Sequence, residues 1–499
     1  MADHVEIRRG SYHDSVTLML VSKQVAARAD VEIASIGSGT PLNVDLVTEQ
    51  GFALPDDIGP NDLIIALRLA DDAVVTEVIA EADTLLKPPT NRAGGGTVEE
   101  PPVSVRAAAR RRPDSNLAVL SVPRQGLAFE IASALDAGLN VFCFSDGLSV
   151  ETERTLKEQA VARGLLLMGP DCGTAILDGV GLGFANVVRR GPVGIVGASG
   201  TGIQEVTCLL HGAGVGVSQV FGVGGRDLKA DVGGVMTVEA IARLAKDPAT
   251  ETIVVISKPP DPAVAAKVAA AARESGRPAA LCFLGSDLGE IDGVPVHGTL
   301  EAAARWAAGR HASARLDVAG AAPSATVDGD LRGLFSGGTL AFEAMTTLGD
   351  RLGPIASNIP LRPEWRMPDV WAPSGTCVVD FGEDELTEGR AHPMIDPSLR
   401  LQSFDTAAKD PSVGLVLMDL VLGYGAHPDP AAELADRVAH ALEARPTGLA
   451  VVVSVCGTDL DPQDAAAQVA RLTAAGAHVT RSAAAAARLA LGLLGKDAR

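Results

Sequence analysis

Residues 193–210 read VGIVGASGTGIQEVTCLL, with Gly194, Gly197, Gly200 and Gly202 bracketing a single Ser-Gly-Thr. An apolar strand runs in and a helical pattern runs out. Such a join gathers several unpaired backbone N–H groups at one point, and the helix dipole adds partial positive charge there. Glycines let an anion approach the backbone, and the Ser199 and Thr201 hydroxyls donate further bonds. The chemistry suits phosphate or carboxylate. The bland alternative is a tight turn capped by Ser199 with no ligand. The stretch is not a Walker A loop, because no Lys precedes the Ser/Thr. It is not the dinucleotide fingerprint, because the glycine order differs.

The pattern recurs downstream. SGTG at Ser199 is mirrored by SGGT at Ser336, and KDPATETIVVI at Lys246 by KDPSVGLVLMD at Lys409. GRPAALCFLGSDL at Gly276 is mirrored by ARPTGLAVVVSVCGTDL at Ala444, and EAAARWAAG at Glu301 by AAAAARLALG at Ala483. Recurrence in one order at similar spacing predicts two copies of one α/β domain, residues 191–315 and 325–499. AGAAPSATVDGD before Leu331 is the linker, and the second copy carries an insertion over roughly residues 355–395, rich in Pro and charge.

Upstream, residues 115–190 alternate buried strands (NLAVLSVP, NVFCFSDG, LLLMGPDCG) with helices, which predicts a Rossmann-like parallel sheet. Residues 1–88 form a small α/β unit, with VEIRRG, VEIASIG and DLIIALRL as strands. Residues 89–114, with prolines, a Gly triplet and the basic run Arg110–Arg112, read as a linker with a solvated charge run. The fold class is therefore α/β: several parallel-sheet Rossmann/flavodoxin-like domains, the last two an internal duplication.

Composition narrows the function. A formal charge of −20 disfavours nucleic acid and anionic membrane as partners. No apolar run reaches membrane-spanning length and the first residues lack a signal-peptide core, so the expected location is cytoplasmic. The six cysteines form no CxxC pair, and no metal site is expected; Cys172 differs from the others in lying in a Gly/Pro turn.

The segment LAVLSVPRQGLAFEIASALDAGLNVFCFSDGLSVETERTLKEQAVARGLLLMGPDCGTAIL resembles the second half of the CoA-binding domain of succinyl-CoA synthetase α subunits. GIVGASGTGIQEV, FGVGGRD and KDPATETIVVI resemble the ligase domain of that subunit; LFSGGTLAFEAM and KDPSVGLVLMD are similar to the β subunit's C-terminal domain. With SYHDSVTLMLVSKQVA, GTPLN, HPMID and GYGAHPDP, the order is similar to that of the FdrA family. The resemblance implies a subunit of a carbamoyl- or acyl-phosphate transferase, most of all oxamate carbamoyltransferase, in which oxalurate and phosphate exchange with oxamate and carbamoyl phosphate. It implies companion subunits, an oligomer and no cofactor. The alternatives are a nucleoside-diphosphate-forming acyl-CoA synthetase subunit and a non-catalytic metabolite-binding scaffold.

Departures from the resembling synthetases matter. Their phosphorylated Gly-His-Ala-Gly loop is missing, and His297 lies in a short strand-to-helix turn with no catalytic duty expected. Their Gly-Glu after IVVI is replaced by Ser257-Lys258-Pro259-Pro260. The first βαβ of the CoA-binding domain is replaced by the 5–88 unit. No ATP-grasp region is recognisable, so the chain alone is not expected to act on a nucleotide.

The expected phosphate-binding residues are Ser199, Gly200, Thr201 and Gly202, faced by Ser336, Gly337, Gly338 and Thr339. A methyl group added at Gly200 is expected to crowd the anion. The expected catalytic residues are His392, His427, Arg390 and Asp419, in loops or at a strand end of the third α/β domain, where carboxyl-edge ligands bind. Each His protonates a leaving nitrogen, contacts an anion or merely caps a turn. Arg390 pairs with a carboxylate of oxamate type, and Asp419 holds a His or the substrate amide. Asp396 and Asp429 read as caps. Glu205, one turn into the helix, reads as solvated, capping or catalytic.

Overall fold

The computed structural model describes residues 2–87, 101–311, 316–318 and 325–496. The expected linker residues 89–100, and 319–324 of the one before Leu331, lie outside the described residues. The chain divides into two compact units: Met1–Glu100 with Phe381–Leu399, and Pro101–Asp380 with Arg400–Arg499.

In the first unit the strands Ala2–Arg8, Val31–Ser38 and Leu63–Leu69 form an antiparallel sheet with the third strand central. Side chains alternate across a strand. Leu63, Ile65, Leu67 and Leu69 accordingly enter one core cluster with Leu18, Val21 and Val78, while Ile64 and Ala66 enter another with Val47 and Phe52. The Ser15–Ala26 helix starts at Asp14, whose carboxylate accepts from Thr17 N at 2.9 Å.

The second unit opens with the helix Val105–Arg111, inside the stretch expected to be linker. Ser104 caps it, and Val105 and Ala109 pack on the core. The alanine run outweighs the basic residues, because Arg110 and Arg111 fall in the last turn, where the dipole favours cations. The strands Leu117–Leu120, Asn140–Cys143 and Leu167–Met168 then form a parallel sheet. The expected boundary at residue 190 shifts. Thr174–Leu177 and Val180–Gly183 make a hairpin that joins the next sheet. Asp178 and Gly179 take φ of 50° and 84°, as a two-residue Asp-Gly hairpin turn requires.

Two sheets follow with a shared plan. In the first, the parallel strands Arg190–Gly197, Val217–Gly222, Thr252–Ser257, Ala279–Phe283 and Val294–His297 lie in spatial order 2-1-3-4-5. In the second, Asp330–Phe335, Cys377–Asp380, Val413–Val421, Ala450–Cys456 and His478–Thr480 lie in the same order. The Lys246 and Lys409 segments end in matching turns: Asp247 Oδ1 accepts from Ala249 N at 3.1 Å, and Asp410 Oδ1 from Ser412 N at 2.9 Å. Strand Val413–Val421 is buried along its whole length, as a central parallel strand must be. The region read as an insertion is not wholly extra, since Cys377–Asp380 is the second strand of the repeat and Phe381–Leu399 belongs to the first unit. Among the described residues, no helix is long and apolar enough to cross a membrane.

Candidate functional site: two facing helix N-termini

Helix Gly200–Gly212 begins at Ser199, whose Oγ accepts from Gly202 N at 3.0 Å. Helix Gly338–Leu352 begins at Gly337. The structural equivalent of Ser199 is therefore Gly337, one residue later than the sequence mirror at Ser336. Gly200 then matches Gly338, and Thr201 matches Thr339.

The two turns meet. Ser199 Oγ lies 2.5 Å from Thr339 Oγ1. Side chains added at Gly202 or Gly337 would press on the opposite turn: a Cβ at Gly202 falls 3.2 Å from Thr339 Cγ2, and one at Gly337 falls 2.9 Å from Thr201 Cγ2. Glycine is what lets the two N-terminal turns approach this closely. Among the described residues, the N–H groups of Gly200, Thr201, Gly338 and Thr339 take no protein acceptor. Ser199, Gly200, Thr201 and Gly338 are partly exposed.

Ser336 and Gly337 do not serve as expected. Ser336 N and Oγ donate to Asp419 Oδ1 at 2.8 and 2.9 Å, and Gly337 N donates to Oδ2 at 2.8 Å. These donors are spent on a protein carboxylate. Asp419 in turn is not open to substrate: it is fully buried and accepts from Arg400 Nη1 at 2.6 Å. It shapes the turn. The expected effect of a methyl at Gly200 changes too, since its Cβ points 3.3 Å from Thr174 Oγ1 and 3.6 Å from Gly173 Cα, toward protein.

Two residues that sequence reasoning missed stand beside Gly338. A Cβ built there falls 3.7 Å from Lys258 Nζ and 2.2 Å from Asp380 Oδ2. Among the described residues Lys258 forms no ion pair or hydrogen bond, and it is partly exposed. Asp380 is buried at the end of strand Cys377–Asp380, whose Asp380 N donates to Asn358 Oδ1 at 2.9 Å. Each follows an apolar strand directly, the signal that was available for both.

The remaining candidates lie elsewhere. Arg390 and His392 belong to the first unit, not to the duplicated domain. There Arg390 Nη1 donates to Asn43 Oδ1 at 3.3 Å, and Asp396 pairs with Lys23 at 3.4 Å. Burial, partly offset by the nearby Asp396, lowers the Arg390 pKa. His392 Nδ1 accepts from Met394 N at 3.3 Å and His427 Nδ1 from Asp429 N at 3.1 Å, so each ring caps a turn. Asp429 precedes its helix but its carboxylate reaches Gln468 and Arg471. His297 ends a strand, its ring 6.1 Å from that of Trp306, and burial lowers its pKa. All six cysteines are buried, and burial pushes the Cys172 thiol up to about 12, against a reactive role.

Comparisons with known proteins put the CoA-binding match on the first copy of the repeat, not on the 115–190 segment expected to carry it. Family profiles described as "AllF, heavy metal-associated domain", "CoA binding domain" and "CoA-ligase" match residues 1–102, 188–285 and 334–493. The chain is 38% identical to the Escherichia coli protein YahF, described as uncharacterized, over 97% of this chain and 96% of that one. It is 33% identical to the Aquifex aeolicus succinate–CoA ligase [ADP-forming] subunit alpha, over 33% of this chain and about half (55%) of that subunit. A solved apo acetyl-coenzyme A synthetase 1 of Ca. Korarchaeum cryptofilum, described as dinucleotide forming, aligns at 18% identity and TM-score 0.33, covering 79% of this chain and 85% of that one.

One group those names suggest does not suit the residues present. Residues 1–102 contain no cysteine, and no three His, Cys, Asp or Glu side chains among the described residues are placed to hold a metal. Coenzyme A carries a pyrophosphate, which favours a glycine-rich helix entry, and within the matched residues 188–285 the Ser199–Gly202 turn is such an entry. The 117–168 sheet lies outside that match, and its first helix entry reads Ser-Val-Pro-Arg, with Pro123 at the cap and no side-chain bond. At the second, Arg124 covers Gly147. The near full-length likeness to YahF, with the three profile matches, places the whole chain: it belongs to the FdrA/AllF-like, succinyl-CoA synthetase-like family.

Proposed function

We propose that this chain is a subunit of an enzyme of the acid–thiol ligase kind, and that its paired turns hold the phosphoryl group of an acyl phosphate. The observation that carries this is the 2.5 Å approach of Ser199 and Thr339, which aims free N–H groups from two helices at one place. Each helix end contributes about 0.3–1 kcal/mol toward a nearby anion, and each charge-assisted hydrogen bond about 1.5–3 kcal/mol. Lys258 supplies the full positive charge that a phosphate needs on a chain of net charge −20. A nucleophile attacks the acyl carbon, the bond from that carbon to the phosphate oxygen breaks, and phosphate leaves carrying the electron pair. Donors already aimed at those oxygens lower the barrier. The succinate–CoA ligase relatives are named as subunits, which favours companion chains here.

A second reading is carbamoyl-phosphate transfer, as in oxamate carbamoyltransferase. Lys258 favours it: a cation stands where a carboxylate partner for a phosphorylated His would be expected, and bound phosphate needs the cation without that His. Calorimetry with inorganic phosphate tests the shared claim. Native protein should bind, and Lys258→Gln should weaken binding about tenfold. Absence of binding by folded native protein would refute both readings. With companion subunits present, acetyl phosphate plus coenzyme A yielding acetyl-CoA supports the first reading; carbamoyl phosphate from oxalurate and phosphate supports the second.

A further inference from the structure

Glu205 and Glu343 occupy one position on the two helices, six residues past Ser199 and Gly337. Their relative exposures are 1% and 0%. Glu205 Oε1 accepts from Ala483 N at 3.0 Å, and Glu343 Oε1 accepts from Leu300 N at 2.6 Å. Ala483 and Leu300 are the first residues of the last helix in the second and first copies. Each glutamate thus caps a helix of the other copy.

Each buried carboxyl group lies within electrostatic reach of the other, and burial first, then the charge of Glu343, raises Glu205. Carboxylates only accept, so two of them buried side by side without a cation are stable only if one carries a proton. Among the described residues Glu343 Oε2 receives no donor. Around the pair, the acid Glu301 is already held by Arg305 at 3.0 Å, Arg488 at 2.6 Å and Ser482 Oγ at 2.9 Å. The thiols of Cys208, Cys282 and Cys456 face the pair, and each titrates above its ordinary value, so they stay neutral. Among the described residues no cation offsets a second charge on the pair.

We propose that Glu205 and Glu343 are positioning residues that share a proton, and that this proton holds the two glycine-rich helices at the spacing an anion between their turns requires. The anion half rests on the reading of the turns given above; the proton half does not. Burial raises both groups, Glu343 to about 7 and Glu205 well above the carboxyl range. An unfolded glutamate loses its proton near pH ~4.3, so the pair's contribution is complete below that value. It declines as pH rises through about 7, and declines further as Glu205 ionises.

Sulfate is the suitable probe, because its charge is constant over the range. From about pH 6 to about pH 9, the unfolding midpoint of the native chain should fall and sulfate affinity should drop by about three- to tenfold. Glu205→Gln keeps an acceptor for Ala483 N and offers Glu343 a permanent donor, so most of both declines should vanish. Glu343→Gln is the mirror test. Equal declines in native and variant proteins overturn the proposal. If neither variant folds, amide protection at Ala483 and Leu300 in the native chain, the exchange rate relative to the intrinsic rate at each pH, decides: protection that does not fall at alkaline pH overturns it. Native protein that binds no sulfate refutes the anion reading, and the unfolding arm still judges the proton.

Discussion

Ser199 and Thr339, 140 positions apart, are joined by a hydrogen bond of 2.5 Å between their hydroxyls. Thr339→Val keeps the shape and removes the bond, while Ser199 continues to cap Gly202. The variant should lose about 0.5–1.5 kcal/mol in urea denaturation and bind phosphate more weakly than native protein. Unchanged phosphate affinity in the folded variant would leave the bond a purely structural tie.

Asp419 and Arg400 are a buried pair at 2.6 Å, and Arg400 Nε has no partner among the described residues. Burial lowers the Arg400 pKa, with Asp419 opposing that shift. Asp419→Asn removes the charge that balances a buried guanidinium and leaves one oxygen where two held Ser336 and Gly337. The expected loss is about 3–5 kcal/mol by chemical denaturation. In a double-mutant cycle with Arg400→Met, the combined loss should be well below the sum. Additive losses would show that the two residues act separately.

Lys157 is fully buried, with Nζ 2.8 Å from Glu153 Oε1, 2.9 Å from Asp227 Oδ1 and 2.8 Å from the Val223 carbonyl. Asp227 also accepts from Met236 N and Thr237 N, which begins the Val235–Lys246 helix. Lys157→Met leaves both carboxylates without this cation; Glu153 keeps only Arg226, at 2.8 Å. The loss should be about 3–5 kcal/mol at neutral pH and smaller in acid, where the carboxylates take up protons. A loss that does not shrink in acid would contradict this account.

Asp62 in the first unit accepts from Gly59 N at 2.9 Å, Gly10 N at 2.8 Å and Arg9 Nη1 at 2.8 Å. These bonds, the Gly59 N–H first, bring its pKa down to about 2. The unfolded value is near ~3.9, so the stabilisation is whole above that pH and is lost as pH falls through about 2. Amide protection at Gly10 and Gly59, the exchange rate relative to the intrinsic rate at each pH, should fall over that window in native protein. In Asp62→Asn the protection of the same amides should be lower already at neutral pH, with little further change in acid.

Much of this architecture is legible in the sequence, because apolar runs mark the strands and their recurrence in one order marks the second copy. The Lys246 and Lys409 segments both lead into the third strand of their copies, and both final helices carry the expected alanine-rich faces. What escapes is geometry at single-residue scale. Ser336 looks like the twin of Ser199, yet the helix begins one residue later because Asp419 captures the Ser336 N–H. Long-range assembly escapes as well: Asn43 meets Gly389 and Arg390 across almost 350 positions, so the HPMID loop cannot be assigned to its unit by proximity in the chain. Lys258 reads in sequence as the loss of a carboxylate, and only the fold shows it as a cation beside Gly338.

The exchange of caps by Glu205 and Glu343 bears on how the duplicated domains fold. The last helix of each copy waits for an acceptor that arrives from the other, so docking and helix completion are one event. Contacts of such long sequence separation form late and slowly. Fragments cut between residues 311 and 325 should each remain partly open, with fast-exchanging amides at Leu300 and Ala483, and should regain protection when mixed. An ancestor with a single copy would then have had to supply both acceptors by self-pairing, as a symmetric dimer in which the two glutamates were the same residue.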